Sequence, residues 1–117
     1  MRRFERSLRR LQDKFMGMLG LAMRAGKLRS GEFGTEKSVK EGRARLVILA
    51  GDASDNTKKK FRNMCEYRSV PYCEHSTKAG LGSAIGKEER SSLSIEDEGF
   101  AIQMKRILEV NANVGRE

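Results

Sequence analysis

The chain has 117 residues, of which 38% are apolar and 34% are charged, so the sequence predicts one globular domain with a heavily solvated surface. Its formal net charge of +8 favours a polyanionic partner. Two cysteines are too few for a disulfide framework, and there is no apolar run of about 18 residues, so we predict a cytoplasmic protein without a membrane span.

The N-terminal segment carries the excess basic charge and predicts the first helix. Residues 1–29 hold nine Lys or Arg and two acidic residues, whereas the remainder is nearly neutral. Apolar residues at helical spacing from Phe4 to Met23 indicate a helix that packs on the core and turns an Arg-rich face to solvent. A membrane-surface helix is the alternative. Residues 1–12 are interpreted as a basic extension of this helix, and Gly26 as its C-terminal cap.

The remaining elements alternate between strands and helices. Turn residues and apolar runs predict four strands, at 28–30, 46–50, 70–73 and 92–95, of which the first is very short. Four further helices are predicted between and after them. They run from about 31 to 41 with Gly42 ending the helix, from after Ser54, from a cap at Ser76 or Thr77 to Ile85, and through Leu108. This alternation predicts an α/β fold, a three-layer α-β-α sandwich with a small mixed four-stranded sheet. The domain is expected to span 13–110, followed by a frayed tail at 111–117.

The start of the second helix is the best candidate for a functional site. It begins behind Gly31, so its first free N–H groups and the positive end of the helix dipole suit a phosphate or the edge of a base. Lys37 and Lys40 occupy its exposed face. Gly31 as a simple tight turn and Phe33 as a core residue form the alternative interpretation. The sequence offers no comparable set of acid, base and nucleophile, so we predict a non-enzymatic RNA-binding protein.

Three other motifs have structural explanations that the sequence favours. Cys65, Cys73 and His75 lack the C-x-x-C spacing of closed zinc sites, so we predict no metal and no cofactor. The lysine run 58–60 is interpreted as a solvated helix face, with a phosphate contact as the alternative. The glycines Gly80 and Gly82 lack phosphate-loop spacing and are interpreted as positions of close packing.

Three segments resemble the kink-turn-binding ribosomal protein superfamily, which includes the large-subunit ribosomal proteins seven-Ae and thirty-e. In chain order they read GLAMRAGKLRSG (20–31), KSVKEGRARLVILAGDAS (37–54) and LGSAIGKEER (81–90). Together with NTKKKF (56–61) they are most similar to the small bacterial members, the YlxQ type, and the likeness spans residues 16–108.

The resemblance implies that the protein binds a sharply bent RNA through the start of its second helix. The family motif there is Gly-x-Asn-Glu-x-x-Lys. Gly31 and Lys37 match its ends, whereas Phe33 and Gly34 replace the two residues that read guanine edges in the family. The implied RNA-contacting residues are Gly31, Glu32, Phe33, Gly34, Thr35, Lys37 and Lys40, with Lys87, Glu88, Glu89, Arg90 and Ser91 in the loop after the fourth helix.

The resemblance also sets the expected partners. They are a structured RNA, kink-turn-like or ribosomal, and the ribosome or a ribonucleoprotein, bound by a monomer. A second hypothesis is a protein-protein adaptor in the translation or transcription machinery, motivated by the departures at Phe33 and Gly34.

Overall fold

Helices and strands alternate along the chain in the predicted order. A computed structural model describes residues 3–115, with side chains described for residue 3 and for residues 5–109. Its elements are α1 (Arg3–Arg24), β1 (Leu28–Ser30), α2 (Gly31–Lys40), β2 (Leu46–Leu49), α3 (Asp55–Arg68), β3 (Tyr72–Glu74), α4 (Lys78–Ala84), β4 (Ser92–Ile95) and α5 (Glu98–Gly115). Gly26 and Gly42 lie just beyond α1 and α2, where the sequence predicted helix ends.

The four strands form one mixed sheet, as predicted, in the order β1-β4-β2-β3. Strand β4 is antiparallel to both β1 and β2, and β3 is parallel to β2. Every residue of the two inner strands, β2 and β4, is buried. Successive side chains of a strand point to opposite faces, so β2 supplies Leu46 and Ile48 to one core and Val47 and Leu49 to the other.

Two hydrophobic clusters, one on each face of the sheet, confirm the three-layer sandwich. The larger cluster joins the sheet to α1, α4 and α5 and includes Phe15, Leu19 and Met104. The smaller cluster joins the sheet to α2 and α3 through Val39 and Phe61. The apolar stripe predicted for α1 is buried from Phe15 to Ala22, and Phe4 lies outside the residues whose side chains are described.

The structure differs from the prediction at the start of β3 and at the end of α5. Strand β3 begins at Tyr72, because the Val70 N–H is used to close the end of α3 on the Cys65 carbonyl, 2.8 Å away, and Pro71 has no N–H to donate. Helix α5 continues to Gly115, seven residues beyond the end predicted at Leu108. Residues 1–2 and 116–117, which belong to the predicted extension and tail, lie outside the described residues.

Helix α2 is held against the sheet by a buried hydrogen bond and by apolar packing of Val39. Thr35, Ser38 and Val39 are its buried residues, and the Ser38 and Ser94 hydroxyl oxygens are hydrogen-bonded at 2.8 Å. Both serines are buried, so this bond fixes the rotation of α2 on β4. The opposite face of α2 is therefore presented to solvent.

Candidate nucleic-acid interface

The chain turns directly from β1 into α2 at Gly31. The φ angle of Gly31 is +85°, a conformation that residues with a Cβ rarely adopt. A Cβ built at Gly31 would meet nothing within 4 Å. The glycine therefore serves the turn itself and leaves open space in front of the helix start.

The N-terminus of α2 lacks the side-chain cap that α3 and α4 possess. Ser54 and Thr77 accept hydrogen bonds from the backbone N–H groups of Thr57 and Gly80. Ser30 makes no such bond at the start of α2, and its hydroxyl instead lies 3.4 Å from Nε of Arg90. The first N–H groups of α2 are consequently available to an anionic ligand.

The loop after α4 forms a wall opposite the start of α2. Its Lys87 and Arg90 N–H groups donate to the carbonyls of Gly82 and Lys78, at 2.8 and 3.0 Å. A Cβ on Gly82 would come within 1.9 Å of the Glu88 carbonyl oxygen, so the loop takes this path only because residue 82 is glycine. The prediction of close packing at Gly82 is confirmed.

Together these two segments enclose a groove of about 500 Å³, here called the loop groove. Most of its residues belong to the predicted contact set, and Ser30 is an addition. The lining consists of Ser30, Gly31, Glu32, Phe33, Gly34, Glu89, Arg90 and Ser91. Lys87 and Glu88 are exposed in the same loop but do not line the groove.

Thr35 does not belong to this surface, contrary to the predicted contact set. Its side chain is fully buried on the sheet-facing side of α2. Thr35 lies three and four residues before Ser38 and Val39, which is the spacing of one helix face. The structure therefore assigns Thr35 to the packing of α2 on the sheet.

A second concave surface, the lysine groove, lies further along α2. It is lined by Phe33, Glu36, Lys37, Lys40 and Glu41, so two of the predicted contact lysines share it. Phe33 is the one residue that lines both grooves. Phe33 is 81% exposed, so its alternative interpretation as a core residue is wrong.

Ion pairs neutralise the acidic residues of α2. Lys60 of α3 contacts Glu32 at 3.1 Å and Glu36 at 2.5 Å, and Lys40 contacts Glu36 at 2.8 Å. Hydrogen bonds from Lys40 and Lys60 hold the pKa of Glu36 at about 2. Glu41 is paired with Arg43. Nothing in the sequence indicated this role of Lys60 beyond its membership of the lysine run.

Two cations near Phe33 remain without a carboxylate partner among the described residues. Lys37 is exposed and forms no ion pair there. The Arg90 guanidinium donates to the backbone carbonyls of Glu88 and Glu89, at 3.3 and 2.9 Å, which fixes its position without neutralising its charge. Among the acidic residues that line the two grooves, only Glu89 has no cation partner among the residues that the structure describes.

The three candidate metal ligands do not converge. Cys65 packs in the cluster beneath α2 and α3, whereas Cys73 packs against the cluster on the other face of the sheet. Burial raises the pKa of Cys65 to about 11 and that of Cys73 to about 12, so both remain protonated thiols. The ring of His75 lies 4.3 Å from that of Phe15, and burial lowers its pKa.

The basic run at the start of α3 also has a structural role. Lys58 donates to the Gly51 carbonyl at 2.6 Å and contacts Glu74 at 3.1 Å, while Lys60 contacts α2. Lys59 and Lys60 are exposed, as the predicted solvated face requires, whereas Lys58 is half-buried. Within residues 3–115, none of the helices combines the length and apolar character needed to cross a membrane.

The fold and the site define a small α-β-α sandwich whose second helix opens into a groove suited to an anionic ligand. Comparison with known proteins agrees with this architecture. The chain belongs to the ribosomal protein L7Ae/L30e/S12e/Gadd45 family, whose model matches residues 13–105. The family resemblance predicted from the sequence segments is thereby confirmed.

Three relatives illustrate the likeness. RNA-binding protein YlxQ of Bacillus subtilis (strain 168) is 45% identical over 92 residues, which cover 79% of this chain and 92% of the relative. RNA-binding protein YlxQ of Enterococcus faecium is 42% identical over 98 residues, covering 84% and 94%. A solved structure of a Bacillus halodurans protein of unknown function superposes with a TM-score of 0.79 at 38% identity, covering 82% and 97%.

Proposed function

We propose that this protein binds RNA, without catalysing a reaction, through the exposed face of α2 and the loop that follows α4. The observation that carries the proposal is the uncapped start of α2, which opens into the loop groove beside Arg90. Lys37 lies in the adjoining lysine groove, and neither cation has a carboxylate partner among the residues that the structure describes. Family membership and the printed names of the two YlxQ relatives, both RNA-binding proteins, support it.

The RNA is proposed to be kinked or internally looped. The groove is bounded by a helix end on one side and by a loop wall on the other, so a straight duplex would touch only its rim. Lys37 is proposed to contact a phosphate, which positions the RNA without reading its sequence. The protein is proposed to act as a monomer in association with the ribosome or a ribonucleoprotein.

A titration against two RNAs tests this proposal. One is a kink-turn RNA and the other is a straight duplex of the same length and composition, both measured at the same salt concentration. We expect tighter binding to the kink-turn RNA. Equal affinity for the two RNAs would contradict the proposal that the protein recognises RNA shape. Absence of binding to either RNA would contradict the proposal that it binds RNA.

A protein adaptor is the second candidate function. The exposure of Phe33, which leaves an apolar ring on the surface, favours it. A pull-down from the source cell, performed before and after ribonuclease treatment, separates the two functions. Partners that survive the treatment would support the adaptor, and loss of every partner would support RNA binding.

A further inference from the structure

Phe33 is the exposed apolar side chain that stands inside the candidate site. It follows Gly31 by two residues on α2, and it forms the ridge between the loop groove and the lysine groove. The buried face of α2 is fixed by Ser38 and Val39, so the ring cannot turn into the core without rotating the helix. A single exposed aromatic residue is ordinary on a protein surface, but one placed between two grooves has ligand space on both sides.

The neighbours of the ring leave it accessible. Gly34 follows it without a side chain, and the nearest atom to a Cβ built there would be the Cβ of Arg29, 3.8 Å away. Phenylalanine has no hydrogen-bonding group, so it cannot read the edge of a base pair. What the ring offers is a flat apolar surface, which matches the face of an aromatic ligand.

The charges around the ring indicate what that ligand carries. The carboxylates Glu32 and Glu36 are paired with Lys60, which leaves the positive charge of Lys37 uncompensated on the lysine-groove side. On the loop-groove side the cation Arg90 is accompanied by the carboxylate of Glu89, which has no cation partner among the described residues. A phosphate therefore fits best on the Lys37 side of the ring.

We propose that Phe33 is a stacking platform for an unpaired nucleobase whose phosphate lies beside Lys37. The inference rests on the proposed RNA-binding function and defines the RNA as one that presents an unstacked base. A base inside a duplex has both faces covered by its neighbours, so only a bulged, looped or terminal base can lie on the ring. The ring of Phe33 would thus contact the flat face of one base. In the family motif, the side chains at positions 33 and 34 instead bind the edges of guanines.

A double-substitution experiment in protein and RNA tests the stacking contact. The RNAs are a hairpin with a short bulge of unpaired uridines, the same hairpin with abasic residues in the bulge, and a fully paired hairpin. For the bulged hairpin we expect Phe33→Ala to weaken binding about tenfold, the effect typical of removing one stacked base. Phe33→Trp should bind at least as well as the unmodified protein, and Phe33→Leu should behave like the alanine variant, since it is apolar but has no ring.

The abasic hairpin and a second aromatic residue supply the controls. Phe33→Ala should have no effect on the abasic hairpin, because the stacking partner is already absent. Tyr67 of α3 is 86% exposed and lines neither groove, so Tyr67→Ala should bind every hairpin like the unmodified protein. Unchanged binding of the bulged hairpin by Phe33→Ala would overturn the inference, as would an equal loss on the abasic hairpin.

Lys37→Ala, measured in parallel, separates this inference from the proposed function. If Lys37→Ala weakens binding and Phe33→Ala does not, RNA binding stands and the stacking contact is wrong. If the unmodified protein binds none of the hairpins, the proposed function fails and the inference fails with it. If Phe33→Ala instead abolishes capture of a ribonuclease-resistant protein partner while RNA binding is unchanged, the ring is a protein contact.

Discussion

At the scale of single residues, the two grooves depend on a few residues with separate roles. Lys37 supplies an uncompensated charge, Arg90 is fixed by backbone carbonyls, and Gly82 leaves room for the loop wall. Because these tasks are separate, substitutions at the three positions should have different signatures in RNA binding and in protein stability.

Lys37→Ala tests the charge on the exposed face of α2. We expect RNA affinity to fall by about 1 kcal/mol or more, and the slope of log K against log salt to flatten by about 0.7 to 0.9, the share of one neutralised phosphate. Filter binding over a series of salt concentrations measures both. An unchanged slope with unmodified affinity would show that this face of α2 does not meet the RNA.

Gly82→Ala tests the path of the loop wall. The added Cβ would overlap the Glu88 carbonyl, so the loop must shift, and we expect a loss of about 1 to 3 kcal/mol in the free energy of unfolding. Gly17→Ala is the matched control, since Gly17 lies in α1 with nothing within 4 Å of its Cβ. This control should gain about 0.5 to 1 kcal/mol. Urea unfolding compares them, and equal effects of the two substitutions would contradict the packing argument.

At the scale of elements, α3 supplies the lysine that neutralises the acidic residues of α2. Lys60 bridges the two helices by pairing with Glu32 and Glu36. Hydrogen bonds from Lys40 and from Lys60 together lower the pKa of Glu36. A lowered carboxyl pKa contributes stability above the ordinary value near 4.5, and that contribution is lost as the pH falls toward about 2. At neutral pH the bridge is therefore intact.

Lys60→Ala should weaken RNA binding more than Lys59→Ala does. Both substitutions remove one positive charge from α3, but only the first leaves Glu32 without its partner and Glu36 with Lys40 alone. The uncovered carboxylates then repel phosphate, so we expect a difference of several-fold at low salt that shrinks as the salt concentration rises. Equal affinities for the two variants would show that the ion pairs of Lys60 do not affect RNA binding.

At the scale of the whole molecule, basic charge lies on both sides of the sheet. Helix α1 belongs to the layer opposite α2, and its Arg6, Arg9 and Arg10 are exposed to solvent in part or in full. None of these three arginines enters an ion pair with another described residue. This surface is separate from the two grooves, so its charge is expected to attract RNA without selecting its shape.

Replacing the five arginines at positions 2, 3, 6, 9 and 10 by Gln tests whether the charge of α1 attracts RNA without selecting its shape. We expect affinity for structured and unstructured RNA to fall by a similar factor, with their ratio kept. The salt slope should flatten by about 0.7 to 0.9 for each phosphate that is no longer neutralised. Circular dichroism checks that α1 remains helical. A selective loss of structured-RNA binding would mean that the N-terminal segment reads RNA shape.

The sequence by itself determined the order of the elements and several of their boundaries. Strands β1 and β4 occupy the predicted residues, and the helix-ending roles of Gly26 and Gly42 are confirmed. These features follow from local rules, namely apolar spacing, turn residues and the steric freedom of glycine, which act within a few residues of the chain.

The tertiary structure alone decided which side chains form the site. It buried Thr35 on the sheet-facing side of α2, exposed Phe33 between two grooves, and brought Lys60 to Glu32 across 28 residues of chain. It also separated Cys65 from Cys73 by the thickness of the sheet. Such contacts depend on how α2 is rotated on the sheet and on which elements become neighbours, and these are set by the packing of distant segments, which no local pattern records.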